Sequence, residues 1–360
     1  MGKKKKIVEE ENETSKKIVS KVVSDDEESK RSKKKRKKNK TLEVEKESSI
    51  IIKPKVNPTF SIAIPASIIG NAQSLELATR LAGQIARAAT IYRVDEIVVF
   101  DNNESSLEEP LNMSSSDENE SNAAFFMRIL RYLETPQYLR RALFPRHHNL
   151  RFAGLLPPLD APHHFRKHEW GLYREGVTLG EKAPNSVGTL VDVGLSKNVV
   201  IDQVLGPGLR VTVAMGNDQS LSSGVLHQVV PSTTPKEEEG MYWGYKVRYA
   251  PNLSSVFENS TYENGYDYVI GTSEHGQTLK SSELCIPAFR HFLIAFGGLA
   301  GLEECIKEDK KLKGKDAREV FPTYLNLCPN QGSRTIRTEE AIFISLQYFQ
   351  EPIGRALQKG

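Results

Sequence analysis

Residues 59–100 place the tightest constraint on what this chain can become. Thr59-Phe-Ser-Ile-Ala-Ile-Pro65 alternates in period two and stops at proline, as a strand does. Ser74 then offers an N-cap to a helix running to about Tyr92, with Glu76 in its favourable first turn. Leu77, Leu81, Ile85, Ala88 and Tyr92 form its expected buried stripe, while Arg80, Gln84 and Arg87 share another face. Glu96-Ile-Val-Val-Phe100 is a short apolar run, best read as a buried strand. Strand, helix and strand at this spacing make an α/β unit with a parallel sheet.

The flanking sequence has a different character. The chain of 360 residues has a formal charge of only +3, but residues 1–49 carry 17 Lys/Arg against 11 Asp/Glu and no aromatic residue before Phe60. So few apolar groups cannot offset the entropy of ordering, and a disordered Lys-rich tail is expected over 1–57. Its densest block, Lys33-Lys34-Lys35-Arg36-Lys37-Lys38, reads as a nuclear import signal, as a contact to RNA phosphates, or as a solvated tail without a partner. The run from Asp101 to Asn122 holds seven acidic residues and no basic one, and is expected to be a solvated loop. No stretch approaches the roughly 20 apolar residues of a membrane span, and no apolar run follows the first lysines as in a signal peptide. Cys285, Cys305 and Cys328 are far apart, which suits free thiols in a reducing compartment and argues against a zinc module. A soluble intracellular protein is expected, without a membrane.

After a helical stretch over about 121–143, residues 151–252 become dense in Gly, Pro and Val. Gly188-Thr-Leu-Val-Asp-Val193, Leu209-Arg-Val-Thr-Val-Ala214 and Tyr242-Trp-Gly-Tyr-Lys-Val-Arg-Tyr249 are short alternating runs. They suggest a small β-barrel of OB type, inserted into one catalytic domain made of 58–150 plus 253–360. Trp243, Tyr242, Tyr245 and Tyr249 with Lys246 and Arg248 read either as a base-stacking β-surface or, in half, as barrel core. His147-His148 and His163-His164 point apart as neighbours and do not suggest a shared metal.

The α/β texture then returns with three strands, each followed by a small-residue loop. Tyr266–Gly271 precedes Thr272–Gly276, His291–Phe296 precedes Gly297-Gly-Leu-Ala-Gly301, and Phe321–Leu327 precedes Cys328–Arg337. A final helix follows, with Thr338 as N-cap and Glu339-Glu340 in its first turn. In an open α/β sheet such strand ends line the ligand crevice, and glycine lets peptide groups approach a ligand that a Cβ would exclude. Gly297-Gly298-x-x-Gly301 lacks the GxGxxG spacing, no Walker lysine, HExxH or GxSxG is present, and a nucleotide polyphosphate is not expected.

The strings LAGQIARAA, DEIVVFD, QYLRRALFP, FAGLLPPLDAPHH, PGLRVTV, YWGYKVR, GYDYVIGTSEHG, FGGLAGLE and CPNQGSRTIRTEEAI together resemble the SPOUT class of RNA methyltransferases, in its archaeal-to-eukaryotic branch with an OB-like insertion. The resemblance implies an α/β trefoil knot with a parallel sheet, a homodimer with a shared substrate site, and S-adenosyl-L-methionine bound in the knot. Carried over by position, the cofactor residues are Thr272, Ser273 and His275, then Phe296, Gly297, Gly298, Gly301 and Leu302. Asn326, Cys328, Gln331, Gly332, Ser333, Thr335 and Ile336 complete the set. This chain has His275 where relatives carry Arg.

Methyl transfer from a sulfonium is an in-line displacement, so the protein's task is alignment and exclusion of water. If the acceptor is a base nitrogen such as N3 of uridine, a nearby cation favours the deprotonated ring. Arg334 and Arg337 flank the third loop and Arg87 lies on the first helix. Each is read as a catalytic or phosphate-clamping arginine, or as a structural partner of Glu303, Glu339 or Glu340. Glu339 is a candidate general base or an ordinary first-turn acid. The expected function is an S-adenosylmethionine-dependent RNA methyltransferase acting on ribosomal RNA in the nucleus or nucleolus, releasing S-adenosyl-L-homocysteine and needing no metal. The rival readings are an inactive RNA-binding assembly factor and a methyltransferase for another substrate, such as protein.

Overall fold

The computed structural model describes residues 57–101, 120–183, 187–219, 221 and 225–358. Apart from a few boundary residues, the expected disordered tail and acidic loop lie outside the described residues. Strand β1 (Thr59–Pro65) is buried on both sides because it lies mid-sheet between β2 and β10 under covering layers, although its alternation alone implies one solvated face. A 3-10 turn (Ala66–Asn71) leads to α1 (Leu75–Ile91), which Ser74 caps by accepting from the Leu77 N–H at 3.2 Å. β2 (Glu96–Phe100) then pairs in parallel with β1. The expected stripe of α1 holds at Leu81, Ile85 and Ala88, but Leu77 is 48% exposed.

Helix α2 (Asn122–Glu134) is separated from α3 (Gln137–Leu143), where the sequence reads as one helix. Pro136 forces Thr135 into extended backbone (φ −70°, ψ 130°), and the Thr135 hydroxyl caps the Arg131 carbonyl at 2.9 Å. Two 3-10 turns (His148–Leu150, Ala153–Leu155) carry the chain to a closed five-stranded barrel. Its strands are β3 (Tyr173–Lys182), β4 (Thr189–Asp192), β5 (Val199–Ile201), β6 (Arg210–Ala214) and β7 (Leu226–Val230), in the order β3-β4-β5-β7-β6. Val191, Val193, Val199, Ile201, Val211, Val213 and Met215 fill it.

After the short α4 (Thr234–Glu239), β8 (Lys246–Ala250) joins β2 as an edge strand of the large sheet. Its alternation alone suggests a barrel strand, but its pairing with β2 makes it part of the sheet. Tyr242, Trp243 and Tyr245 are buried rather than a stacking surface. Their polar atoms bond the Val94 carbonyl (2.9 Å), the Glu175 carboxylate (2.6 Å) and the Leu130 carbonyl (3.0 Å). Arg248 is engaged with the buried Glu96 at 3.0 Å.

α5 (Leu253–Glu258), β9 (Tyr268–Thr278), β10 (His291–Ala295), α6 (Gly301–Glu308), α7 (Ala317–Val320), β11 (Thr323–Asn326) and α8 (Thr338–Leu357) complete the fold. The sheet runs β11-β9-β10-β1-β2-β8 and is parallel throughout. Alternate side chains face opposite layers: Ile62, Ile64, Ile97, Val99 and Ile294 meet α1, α2 and α8, whereas Ala63, Val98, Phe100 and Leu293 meet α5, α6 and α7. The fold is therefore mixed α/β, a covered parallel sheet with a separate five-stranded barrel. Among the described residues, no helix is long and apolar enough to cross a membrane.

Candidate functional site

β9, β10 and β11 are neighbours, so their carboxyl ends open on the same edge of the sheet. The expected first loop is not a break in β9: the strand continues to Thr278, but consecutive β11 residues Tyr324 and Leu325 pair with Gly271 and Gln277. Thr272–Gly276 is thus an excursion skipped by the ladder, a bulge that carries side chains out of the sheet. Gly276 makes the close return: a Cβ there would stand 2.3 Å from the Leu325 carbonyl carbon.

The three strand ends surround a cavity of about 230 Å³. Of the residues inferred from the resemblance, Thr272, Ser273, His275, Phe296, Gly297, Gly298, Gly301, Asn326, Cys328, Gln331, Thr335 and Ile336 line it. Leu302 does not, because its side chain is buried against Ala63 and Ala295 in the opposite layer. Gly332 and Ser333 also stand outside the lining; the Ser333 hydroxyl turns back onto the Thr335 carbonyl at 2.8 Å.

The loops are locked to one another through backbone. Gly301 adopts φ +81°, and a Cβ on Gly297 would lie 2.4 Å from the Gly301 carbonyl carbon and the Leu302 nitrogen. Thr338 is the first residue inside α8 rather than its cap. Its hydroxyl instead donates to the Gly297 carbonyl at 3.0 Å, tying α8 to the second loop. Asn326 donates to the Glu274 carbonyl (2.8 Å) and accepts from the Cys328 N–H (3.0 Å), joining the first and third loops.

Glu303, read from the sequence only as an acid beside the second loop and a possible arginine partner, stands at the cavity wall. Its Oε1 accepts from the Ser273 hydroxyl (2.9 Å) and His275 Nδ1 (3.0 Å) at the cavity wall. Partial burial raises its pKa, but its own backbone N–H and the neighbouring Tyr324, His275 and Ser273 outweigh this and hold it below the usual carboxylate range. A polyphosphate would meet this anion, in keeping with the sequence argument. Thr338, Ala341 and Ser345 also line the cavity, and their i, i+3, i+7 spacing on the final helix was the available signal for them.

A second trough of about 720 Å³ adjoins the cavity and shares Gly298, Leu299, Thr335, Ile336 and Thr338 with it. Leu77, Arg80 and Gln84 of α1 form one wall, and Arg337, Glu339 and Glu340 the other. Leu299, between the two spaces, is 80% exposed. Arg337 Nη1 stands 3.9 Å from the largely buried Glu339 carboxylate, and Arg80 is paired with Glu76 at 2.8 Å. Arg334 is exposed and lines neither space. Arg87 lines neither space either, because its guanidinium donates to the Pro158 (3.1 Å) and Leu159 (2.7 Å) carbonyls.

His163, His164 and His147 are held by backbone groups. His163 and His164 Nε2 donate to the Glu134 carbonyl at 3.0 and 2.7 Å, and His147 accepts from the Asn149 N–H at 3.2 Å. Among the described residues, no group of three or more His, Cys, Asp or Glu is arranged to hold a metal.

Comparison with known proteins gives a family. The model of a family described as "Putative RNA methyltransferase" matches residues 59–349. A 28S rRNA (uridine-N(3))-methyltransferase of Mus musculus is 49% identical over 295 residues, covering 81% of this chain and 76% of the mouse protein. The enzymes of that name from Homo sapiens and Drosophila melanogaster are 47% and 44% identical, over 88% and 84% of this chain and 84% and 64% of their own lengths.

Proposed function

The chain belongs to this RNA methyltransferase family and is a methyltransferase, and from that premise we propose that it methylates N3 of a uridine in large-subunit ribosomal RNA, with S-adenosyl-L-methionine as donor. The observation that carries the proposal is the cavity where β9, β10 and β11 end, walled by peptide groups and small side chains. The fit is chemical: Gly297, Gly298 and Gly301 bring backbone to the wall without side chains, Thr272, Ser273, Gln331 and Glu303 offer polar groups, and Ile336, Ala341 and Ile344 offer apolar ones. The cofactor, when bound, supplies a methyl group already activated on sulfur.

The protein's own residues do the rest. The adjoining trough takes the uracil ring, and Leu299 and Ile336 exclude water at the junction. Arg337, which faces the trough, stabilises the ring deprotonated at N3, and the Glu339 carboxylate receives that proton. Within this reading the domain is a SPOUT-class trefoil knot that works as a nuclear homodimer. The barrel is of OB type, a reading supported by its order β3-β4-β5-β7-β6 and its parallel β5–β7 pair. Titration calorimetry with S-adenosylhomocysteine and transfer of labelled methyl to large-subunit rRNA test the proposal. Micromolar binding with label recovered as 3-methyluridine is expected, and binding without any transfer would favour an assembly factor.

A further inference from the structure

Charge on the described surface is unevenly spread, and one connection stands out. From Pro136 to His168 the chain carries six Lys/Arg and a single acid, Asp160. The acids at its borders are already engaged: Glu134 is buried against Arg210, and Glu169 faces Arg166. Arg140 belongs to the fold, since it donates to the Thr135 and Leu133 carbonyls at 2.9 Å. The other five, Arg141, Arg146, Arg151, Arg166 and Lys167, are exposed. The side chains of Arg141, Arg146 and Lys167 make no hydrogen bond or ion pair among the described residues. Contrast the segment Glu303–Glu319, which also has six basic residues but sets six acids among them.

The fold gathers these five cations along one path. Arg174 stands over the Tyr138 ring (4.9 Å) and the Phe165 ring (5.1 Å), which brings the start of α3 beside Phe165-Arg166-Lys167. Further on, Leu156 packs against Gly83, and Arg87 holds the Pro158 and Leu159 carbonyls, so the connection is strapped along α1. Gly83 and Arg87 lie on the face of α1 next to the one bearing Leu77, Arg80 and Gln84, the wall of the trough. The connection that carries the cations therefore runs beside the helix that walls the trough.

We propose that this α3–β3 connection is the RNA-backbone track of the protein, a row of cations that binds successive phosphates and delivers a flanking strand to the trough. The proposal rests on the reading of the substrate as RNA. Solvated cations displace the counterions condensed on RNA phosphates, which is the chief source of sequence-independent affinity. An acidic protein surface is the competing occupant.

The test uses the full-length chain, tail included, with a labelled oligouridine of roughly 20 nucleotides and with large-subunit rRNA. The combined variant Arg141→Gln, Arg146→Gln, Arg151→Gln, Lys167→Gln should weaken oligouridine binding at least 30-fold near physiological salt. The slope of log affinity against log salt should fall by about 0.7 per lost contact, roughly 3 in all. S-adenosylhomocysteine affinity should stay unchanged, which also shows the variant folded. The matched control, Lys310→Gln, Lys313→Gln, Lys315→Gln, should move neither slope nor affinity by more than about twofold. An unchanged slope in the first variant, or an equal loss in the control, overturns the track. Failure of the parent protein to bind S-adenosylhomocysteine would instead strike the functional reading alone, and the salt-slope comparison would still decide the track.

Discussion

Two glycines that look alike in the sequence differ in what surrounds them. A methyl on Gly297 would press into the backbone of Gly301 and Leu302, whereas one on Gly332 would meet nothing within 4 Å. Gly297→Ala should cost about 1–3 kcal/mol and at least tenfold in S-adenosylhomocysteine affinity, and Gly332→Ala under about 0.5 kcal/mol; thermal melts and calorimetry compare them. The arginines separate in the same way. Arg87→Ala, which removes two carbonyl contacts, should lower the melting temperature and leave kcat of the folded enzyme intact. Arg337→Ala should lower kcat with cofactor affinity unchanged, as expected of a group that faces the trough. The resemblance identified most of the cavity wall by position. It could not show that the Leu302 side chain turns into the core, because direction alternates with each residue and a motif carries no orientation. Glu303 was visible as an acid but not as a wall residue, since its partners Ser273 and His275 are about 30 positions away.

Helix α8 contains Pro352, which has no N–H to give the Tyr348 carbonyl one turn back. Ser281 supplies the missing donor at 2.8 Å from the loop after β9. Ser281→Ala should therefore cost about 1–2 kcal/mol, and Pro352→Ala should rescue part of it, a non-additivity read from a double-mutant cycle in urea. Elements with their own punctuation were legible from sequence: β1 ends at its proline and α1 begins at Ser74. Those whose identity depends on partners were not. Lys246–Ala250 alternates as a barrel strand would, and only its pairing with β2, some 150 residues earlier, makes it the sheet edge. The break between α2 and α3 was written in Pro136, but the apolar periodicity on both sides concealed it.

The barrel is fastened to the α/β layer through buried charge. Arg210 on β6 bonds Glu175 on β3 at 2.6 Å and Glu134 at the end of α2 at 2.5 Å, and His163 and His164 cover the same helix end. Burial, and next the adjacent His163, lower the His164 pKa from 6.5 to about 4. Above about pH 6.5 the ring is neutral folded or unfolded and adds no pH dependence. Between 6.5 and about 4 the unfolded chain takes a proton that the native one refuses, so stability falls with pH, by at most about 3 kcal/mol. Glu134 is held far below its ordinary range: burial opposes this, but Arg210 and His163 prevail. Its contribution is present above about pH 4.5 and is lost only in stronger acid. Urea midpoints at pH 7.5 and 5 should differ in the parent protein and differ less in His164→Gln, which keeps a donor for the Glu134 carbonyl, the remainder including the lowered pKa of His291.

The strand order has a bearing on biosynthesis. β1 sits in mid-sheet, yet its neighbour β10 is more than 200 residues downstream, and the cavity is closed by β11 and α8. A ribosome partway through the message therefore holds a chain whose barrel strands have all emerged while the first half of its sheet still waits for a neighbour. The cavity is assembled only when translation of this domain is complete, so a growing polypeptide does not yet possess it.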